Sequence, residues 1–234
     1  MKQIVITGAS SGIGEAIAHS LANSETSLHL LGRSEDRLQE VARAVKDAGG
    51  QAVIHQVNLA EDNPLEEVAA TLNELGGIGA LVHSAGAISL ASVAETSAED
   101  LDKQYRVNLR APYLLTQKLL PSLKQAQGQI VFINSGAGLN AKANWSSYAV
   151  TKHGLKALAD SLRAEVKLDG VRVVSIYPGR VASPMQERVH EFEGKAYDPE
   201  TFVQPEDVAQ QVASVLSLPA TAEVTDLSIR PAKG

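Results

Sequence analysis

The 234-residue chain has no cysteine, one tryptophan, two methionines and only 4% aromatic residues. Without cysteine there can be no disulfide, no thiolate metal site and no cysteine nucleophile. The absence of disulfides suits a reducing compartment. Long apolar runs are also missing: none approaches the roughly 18 residues that a membrane span needs. Met1-Lys2 leads straight into a short apolar segment closed by Gly8, which does not read as a secretory leader. No cluster of lysine and arginine forms a basic stripe, and the net charge is −6. That balance argues against nucleic-acid binding. No histidine pair or carboxylate cluster has metal-ligand spacing. These absences leave a cytoplasmic protein with no membrane, metal or nucleic-acid partner as the expectation.

What remains is an ordinary globular composition, 44% hydrophobic and 21% charged. The length fits one domain, 1–234. Short β-branched runs alternate with stretches of helical period. Strands are expected at Ile4–Ile6, Leu28–Leu31, Ala52–Val57, Leu81–His83, Ile130–Ile133, Val171–Ile176 and Leu227–Ile229. Helices are expected at Ile13–Ala22, Arg37–Ala48, Leu65–Leu75, Glu99–Leu123, Ser146–Lys167 and Glu206–Leu216, with a kink or break around Pro112. This rhythm predicts an α/β fold: a single-domain, Rossmann-type, doubly wound parallel sheet of about seven strands with helices on both faces. Ligands of such sheets bind beyond the carboxyl ends of the strands. The segment 181–204 is the least regular and is the expected substrate loop.

The first strand runs into Thr7-Gly8-Ala9-Ser10-Ser11-Gly12-Ile13-Gly14. A G-x-x-x-G-x-G turn between a strand and a helix has the means to hold a pyrophosphate. Glycine permits the tight turn and the close backbone approach, the helix N-terminus offers free N–H groups, and Ser10 and Ser11 add hydroxyls. After the second strand comes Gly32-Arg33-Ser34, with no acid there to bind a ribose 2′-hydroxyl. Arg33 is instead a fixed cation suited to a 2′-phosphate, and Gly32 leaves room for it. The expected cofactor is therefore NADPH/NADP+, preferred over NAD. Glu35 and Asp36 fall in the first turn of the next helix, where acids complement its dipole.

Tyr148 and Lys152 stand four residues apart in a helix, hence on one face. A nearby ammonium favours the phenolate and would lower the phenol pKa. Ser135 lies just past the fifth strand, at its carboxyl end, where its hydroxyl can meet a substrate carbonyl. Asn108, near Pro112, is placed to bind an ordered water or a backbone group beside Lys152.

This ordered set resembles the short-chain dehydrogenase/reductase family, over nearly the whole chain. Ser135 precedes Tyr148 by 13 positions, Lys152 follows by four, and Val107-Asn108-Leu109 matches the family's asparagine. The resemblance implies interconversion of a carbonyl and an alcohol by hydride transfer. Tyr148 would be proton donor or acceptor, with Ser135 orienting the carbonyl. Lys152 would lower the Tyr148 pKa and bind the nicotinamide ribose, and Asn108 would support a water-linked proton relay. It further implies that Pro178-Gly179 lies near the nicotinamide and that Val181 and Ser183 contact its carboxamide.

There are departures from the family pattern. Ser84-Ala85-Gly86 replaces the usual Asn-Ala-Gly, which puts one sheet-steadying hydrogen bond in doubt while Gly86 still admits the cofactor. Asn58-Leu59 stands where the family has an acid near the adenine. An isomerase, epimerase or dehydratase of the same fold is an alternative, as is a non-catalytic dinucleotide sensor. The first usually carries a larger C-terminal domain, and the second usually loses the Tyr or the Lys. The resemblance also implies a homodimer or homotetramer joined through the helices Glu99–Leu123 and Ser146–Lys167. His83 is expected to pack in the core, and Trp145 and Met185 flank the substrate side. The substrate is a small molecule with a carbonyl or alcohol.

Overall fold

A computed structural model describes residues 1–232. Among them a single parallel sheet runs in the order β3-β2-β1-β4-β5-β6-β7. Its strands are β1 (Lys2–Thr7), β2 (Thr26–Gly32), β3 (Gln51–Gln56), β4 (Ala80–His83), β5 (Gln129–Ile133), β6 (Arg172–Pro178) and β7 (Asp226–Ile229). Every neighbouring pair is parallel. The seven strands and the Rossmann-like arrangement follow the sequence expectation. The central strands β4 and β5 are buried along their whole length. That is why they read as unbroken apolar runs rather than alternating ones.

Helices α1 (Gly12–Leu21), α2 (Glu35–Asp47) and α8 (Pro205–Leu216) cover one face. Ile17, Leu38, Val41 and Val212 pack there against Ile4, Ile6, Leu28 and Val131. Helices α3 (Asp62–Asn73), α5 (Ala111–Gln125) and α6 (Ser146–Val166) cover the other. Leu72, Leu119 and Leu155 meet Val5, Leu81, Ile130 and Phe132 on that side. The strand order reverses between β1 and β4, so the crevice above these two strands is where such a sheet takes a ligand. Among the described residues no helix is long and apolar enough to cross a membrane.

One expectation about local structure is refined and another corrected. The helix does not break at Pro112 itself; the kink or break expected around it takes the form of a π-turn just before the proline. Helix α4 (Ala98–Tyr105) passes through a π-turn, Arg106–Arg110, directly into α5. The Ala111 N–H donates to the Arg106 carbonyl, five residues back. The proline follows this shifted ladder at the start of α5, where its missing N–H costs little. The correction is at 181–204, which is not irregular. It contains helix α7 (Pro184–Glu193), capped by the Ser183 side chain accepting from the Gln186 N–H and ended by Gly194 at φ 64°. Val181 pairs with Val203 across its base.

Candidate active site

The carboxyl ends of β1, β4, β5 and β6 bring the sequence-selected residues to one end of the sheet. Gly8 (φ 67°) and Gly12 (φ 57°) hold left-handed backbone, which only glycine adopts without strain. A Cβ on Gly8 would stand 2.7 Å from the Ala85 Cα, so the turn packs tightly on the Ser84-Ala85-Gly86 segment. A Cβ on Gly14 would collide with the Gly8 carbonyl. Ser11, the residue before α1, makes no capping bond with its side chain. Its hydroxyl and the first N–H groups of α1 remain available to an anion. Ile13 is partly buried and packs against the core.

Thr7 was given no role in the sequence reading, yet it ties the two sides together. Its Oγ1 accepts from the N–H groups of Ser84 and Ala85, both at 3.1 Å. A hydroxyl residue at the last position of the strand, just before the glycine turn, was the available signal. The Ser84 hydroxyl is buried without a partner among the described residues. Gly86 is exposed, and a Cβ there would meet only ordinary contacts, Met185 Cε at 3.5 Å and Asn108 Oδ1 at 3.7 Å.

At the end of β2, Arg33 is exposed, and its guanidinium has no ion pair or hydrogen bond among the described residues. The space above Gly32 belongs to protein rather than to a phosphate. A Cβ there would lie 3.1 Å from the Ser10 hydroxyl and 3.3 Å from Leu38. Asn58 is partly committed, with Nδ2 donating to Glu61 at 2.6 Å and Oδ1 accepting from the Ala60 N–H at 3.2 Å. Leu59 packs against the core beside it. A phosphate-bearing dinucleotide fits these residues: glycines where backbone must approach, free helix N–H groups, and an uncommitted cation at the β2 end.

Ser135, Tyr148 and Lys152 come together where β5 meets α6. Ser135 Oγ accepts from the Ala137 N–H at 3.1 Å, turning the chain at the strand end. Tyr148 is buried, and that burial pushes its phenol up to about 12, with the Ser135 hydroxyl drawing it back down. Lys152 lies on the same helix face, its Nζ 5.8 Å from the Tyr148 ring centroid. The ammonium is turned to the Ile133 carbonyl, to which it donates at 3.0 Å, and burial brings its pKa down to about 8. The expectation that Lys152 sets a low Tyr148 pKa therefore needs correction for this state. Burial dominates both groups, and the phenol is protonated at neutral pH.

Asn108 sits inside the π-turn and is fully buried. Its Oδ1 accepts from the Ala87 N–H at 2.7 Å, and Nδ2 donates to the Ala87 carbonyl at 2.8 Å and to Thr151 Oγ1 at 3.0 Å. Both amide hydrogens are thus spent holding the β4 loop to α6. The side chain acts as a strut between the β4 loop and α6.

Pro178 ends β6, and the Gly179 N–H donates to Ile229 at 2.7 Å. Val181 is buried. Ser183 Oγ donates to the Val181 carbonyl at 3.1 Å, and the Ser183 N–H donates to the Tyr197 hydroxyl at 3.0 Å. Sequence reading missed the group that holds this segment. Arg180 makes two bonds to Glu193, each 2.8 Å, and a third contact to His190 at 3.1 Å. His190, Tyr197 and Phe202 pack as an aromatic cluster beneath. Trp145 stands edge-on to Tyr148, ring centroids 6.0 Å apart. His83 is internal, bonded to Thr116 at 2.8 Å and stacked on Phe132.

Residues 2–194 match the family model for short chain dehydrogenases. The chain belongs to the short-chain dehydrogenase/reductase family. It is 32% identical over 231 residues to an uncharacterised oxidoreductase of Staphylococcus epidermidis, covering 98% of this chain and 97% of that one. An uncharacterised short-chain type dehydrogenase/reductase of Sinorhizobium fredii is also 32% identical, covering 97% of this chain and 90% of the relative. Among solved structures, an alcohol dehydrogenase of the archaeon Thermococcus sibiricus, complexed with 5-hydroxy-NADP, superposes with a TM-score of 0.90. It is 29% identical, covering all of this chain and 98% of that one. A metagenomic short-chain oxidoreductase in complex with NADP superposes at 0.85 with 28% identity, covering 100% and 98% of the two chains. The protein is an oxidoreductase of this family.

Proposed function

We propose that this enzyme is an NADPH-dependent reductase that converts a small carbonyl compound to its alcohol, or runs the reverse reaction. The observation that carries the reading is the buried group of Ser135, Tyr148 and Lys152 at the carboxyl end of β5, at the same end of the sheet as the glycine-rich β1 turn and separated from it by β4. When bound, the reduced nicotinamide supplies a hydride to the carbonyl carbon. Ser135 holds the carbonyl oxygen through its hydroxyl. Tyr148, protonated at neutral pH, gives its proton to the alkoxide oxygen as the C–H bond forms. A phenol pushed up to about 12 is in the acid form that reduction requires. Lys152 supplies the positive charge that stabilises the phenolate left behind.

The preference for NADPH rests on Arg33, the uncommitted cation at the end of β2, and is supported by solved relatives that hold NADP. Gly8, Gly12 and Gly14 with the α1 N-terminus would take the pyrophosphate, Asn58 and Leu59 the adenine, and Pro178, Gly179, Val181 and Ser183 the nicotinamide side. The segment 181–204, with α7, forms the substrate wall. A homodimer or homotetramer would use the α4–α5 and α6 faces, where Leu101, Tyr105, Tyr113 and Val150 are exposed. A chain without cysteine suits the cytoplasm. Consumption of NADPH and NADH in parallel, against aldehydes, ketones, diketones and quinones, tests the reading. Turnover with NADPH preferred supports it, and no turnover with any of them counts against it.

A further inference from the structure

The amide of Asn134 fills a slot that the sequence keeps open for it. Asn134 is buried and joins the last residue of β5 to Ser135. Its N–H donates to the Ile176 carbonyl at 2.7 Å, which carries the β5–β6 ladder one residue beyond the strand. Its side-chain Nδ2 donates to the backbone carbonyl of Lys152 at 3.2 Å. The opposite wall of the slot is Gly138. A Cβ at Gly138 would stand 2.5 Å from Asn134 Oδ1 and 2.9 Å from the Lys152 carbonyl. Gly138 does not have a positive φ, so it is glycine for space and not for backbone conformation.

The contact is reciprocal. The Lys152 ammonium donates to Ile133, and Asn134, the next residue, donates to the carbonyl of Lys152. Two adjacent residues at the end of β5 therefore grip both ends of one α6 residue. The same two residues lead into Ser135, while α6 carries Tyr148 one turn before Lys152. A shift of α6 along β5 would break both bonds at once.

We propose that Asn134 is a positioning residue that fixes the register of α6 against β5, holding Lys152 and Tyr148 opposite Ser135. This rests on the proposed roles of those three residues. Asn134 itself touches no reacting atom. A misplacement of about 1 Å in such a group costs on the order of 100-fold in rate, so the bond should be visible in turnover.

The test compares the wild type with Asn134→Ser, Asn134→Asp and Tyr148→Phe. Turnover is followed with NADPH and whichever of 2,3-butanedione, acetophenone and 1,4-benzoquinone the wild type reduces. A second readout needs no substrate: the 13Cε resonance of Lys152, assigned with Lys152→Arg and titrated from pH 6 to pH 10. The titratable group facing Lys152 is Tyr148 on the same helix. Asn134→Ser should lower kcat by about tenfold with little change in KM. It should also move the Lys152 midpoint upward, as a loosened ammonium gains water. Asn134→Asp should do both more strongly, because its carboxylate cannot donate to the Lys152 carbonyl and sets two acceptors against each other there. If it does not fold, the serine variant carries the test. A lowered Tm with wild-type kcat and an unmoved Lys152 midpoint would make Asn134 a structural residue only and overturn the proposal. Full turnover by Tyr148→Phe would instead overturn the functional reading, and the Lys152 titration would still decide whether Asn134 holds that residue.

Discussion

Gly12 in the β1 turn and Ser183 at the start of α7 face each other across the mouth of the crevice: a Cβ on Gly12 would lie 3.7 Å from the Cβ of Ser183. The two residues lie 171 positions apart in sequence, and their approach brings the start of α7 onto the glycine-rich turn. Gly12→Ala should fail for backbone reasons first. Its φ of 57° costs a non-glycine residue about 1–2 kcal/mol. The variant should fold with a lower Tm and bind NADPH about tenfold more weakly by fluorescence titration. Unchanged affinity would mean that the turn does not carry the phosphates.

Arg33→Asp should reverse the cofactor preference. Among the described residues the guanidinium has no competing partner, so its loss leaves no buried group exposed and the fold should be unaffected. A charge-assisted hydrogen bond is worth about 1.5–3 kcal/mol, so the NADPH Kd should rise by roughly tenfold to a hundredfold. The NADH Kd should hold or improve. An unchanged ratio of the two constants would remove Arg33 from the site.

Ser84→Ala should leave stability unchanged or raise it. The serine hydroxyl is buried without a partner among the described residues, and an orphaned polar group costs about 1–3 kcal/mol. Urea denaturation measures the difference directly. Destabilisation by more than about 1 kcal/mol would indicate a hydrogen bond at that position in solution.

Acid should destabilise the fold through buried histidines. His29 accepts or donates to His55 at 3.1 Å and to Gln3 at 3.0 Å, a chain across β1, β2 and β3. Burial, with the neighbouring His55, pulls His29 down to about 4, and burial alone pulls His83 down to about 3. Folded pKa values below the unfolded value of about 6.5 mean that the unfolded chain binds more protons between these limits. Stability is therefore full above pH 6.5 and falls as the pH drops toward 4. His83→Gln should flatten part of that decline in Tm measured against pH. An identical slope in that variant would assign the effect to other groups.

Much of this was legible in the sequence, because much of it is local. The all-buried strands announce themselves as apolar runs, and the glycine turn announces itself by its place between a strand and a helix. The spacing of Tyr148 and Lys152 fixes their common face, but not that the ammonium turns to Ile133. That depends on the register between α6 and β5. Helix α7 was missed because its three apolar residues, Met185, Val189 and Phe192, give a weak stripe. The Ser183-Pro184 start and Gly194 end were nevertheless present as signals. Pro112 signals a kink or break in this helix, but not that it is a π-turn, because one extra residue in a helix leaves no mark in the periodicity. The Gln3–His29–His55 chain and the Arg180–Glu193 clamp depend on how distant segments meet, which no single stretch of sequence encodes.

The most direct test of the central claim is the initial rate of NADPH oxidation by wild type and Tyr148→Phe on the same carbonyl substrate, with the NADPH Kd measured for both. Loss of the proton donor should cut turnover by about 10²–10⁴-fold while the Kd stays within about twofold, since the phenol oxygen is the only atom removed. Near-normal turnover by Tyr148→Phe would contradict the account, because the proton would then come from another group.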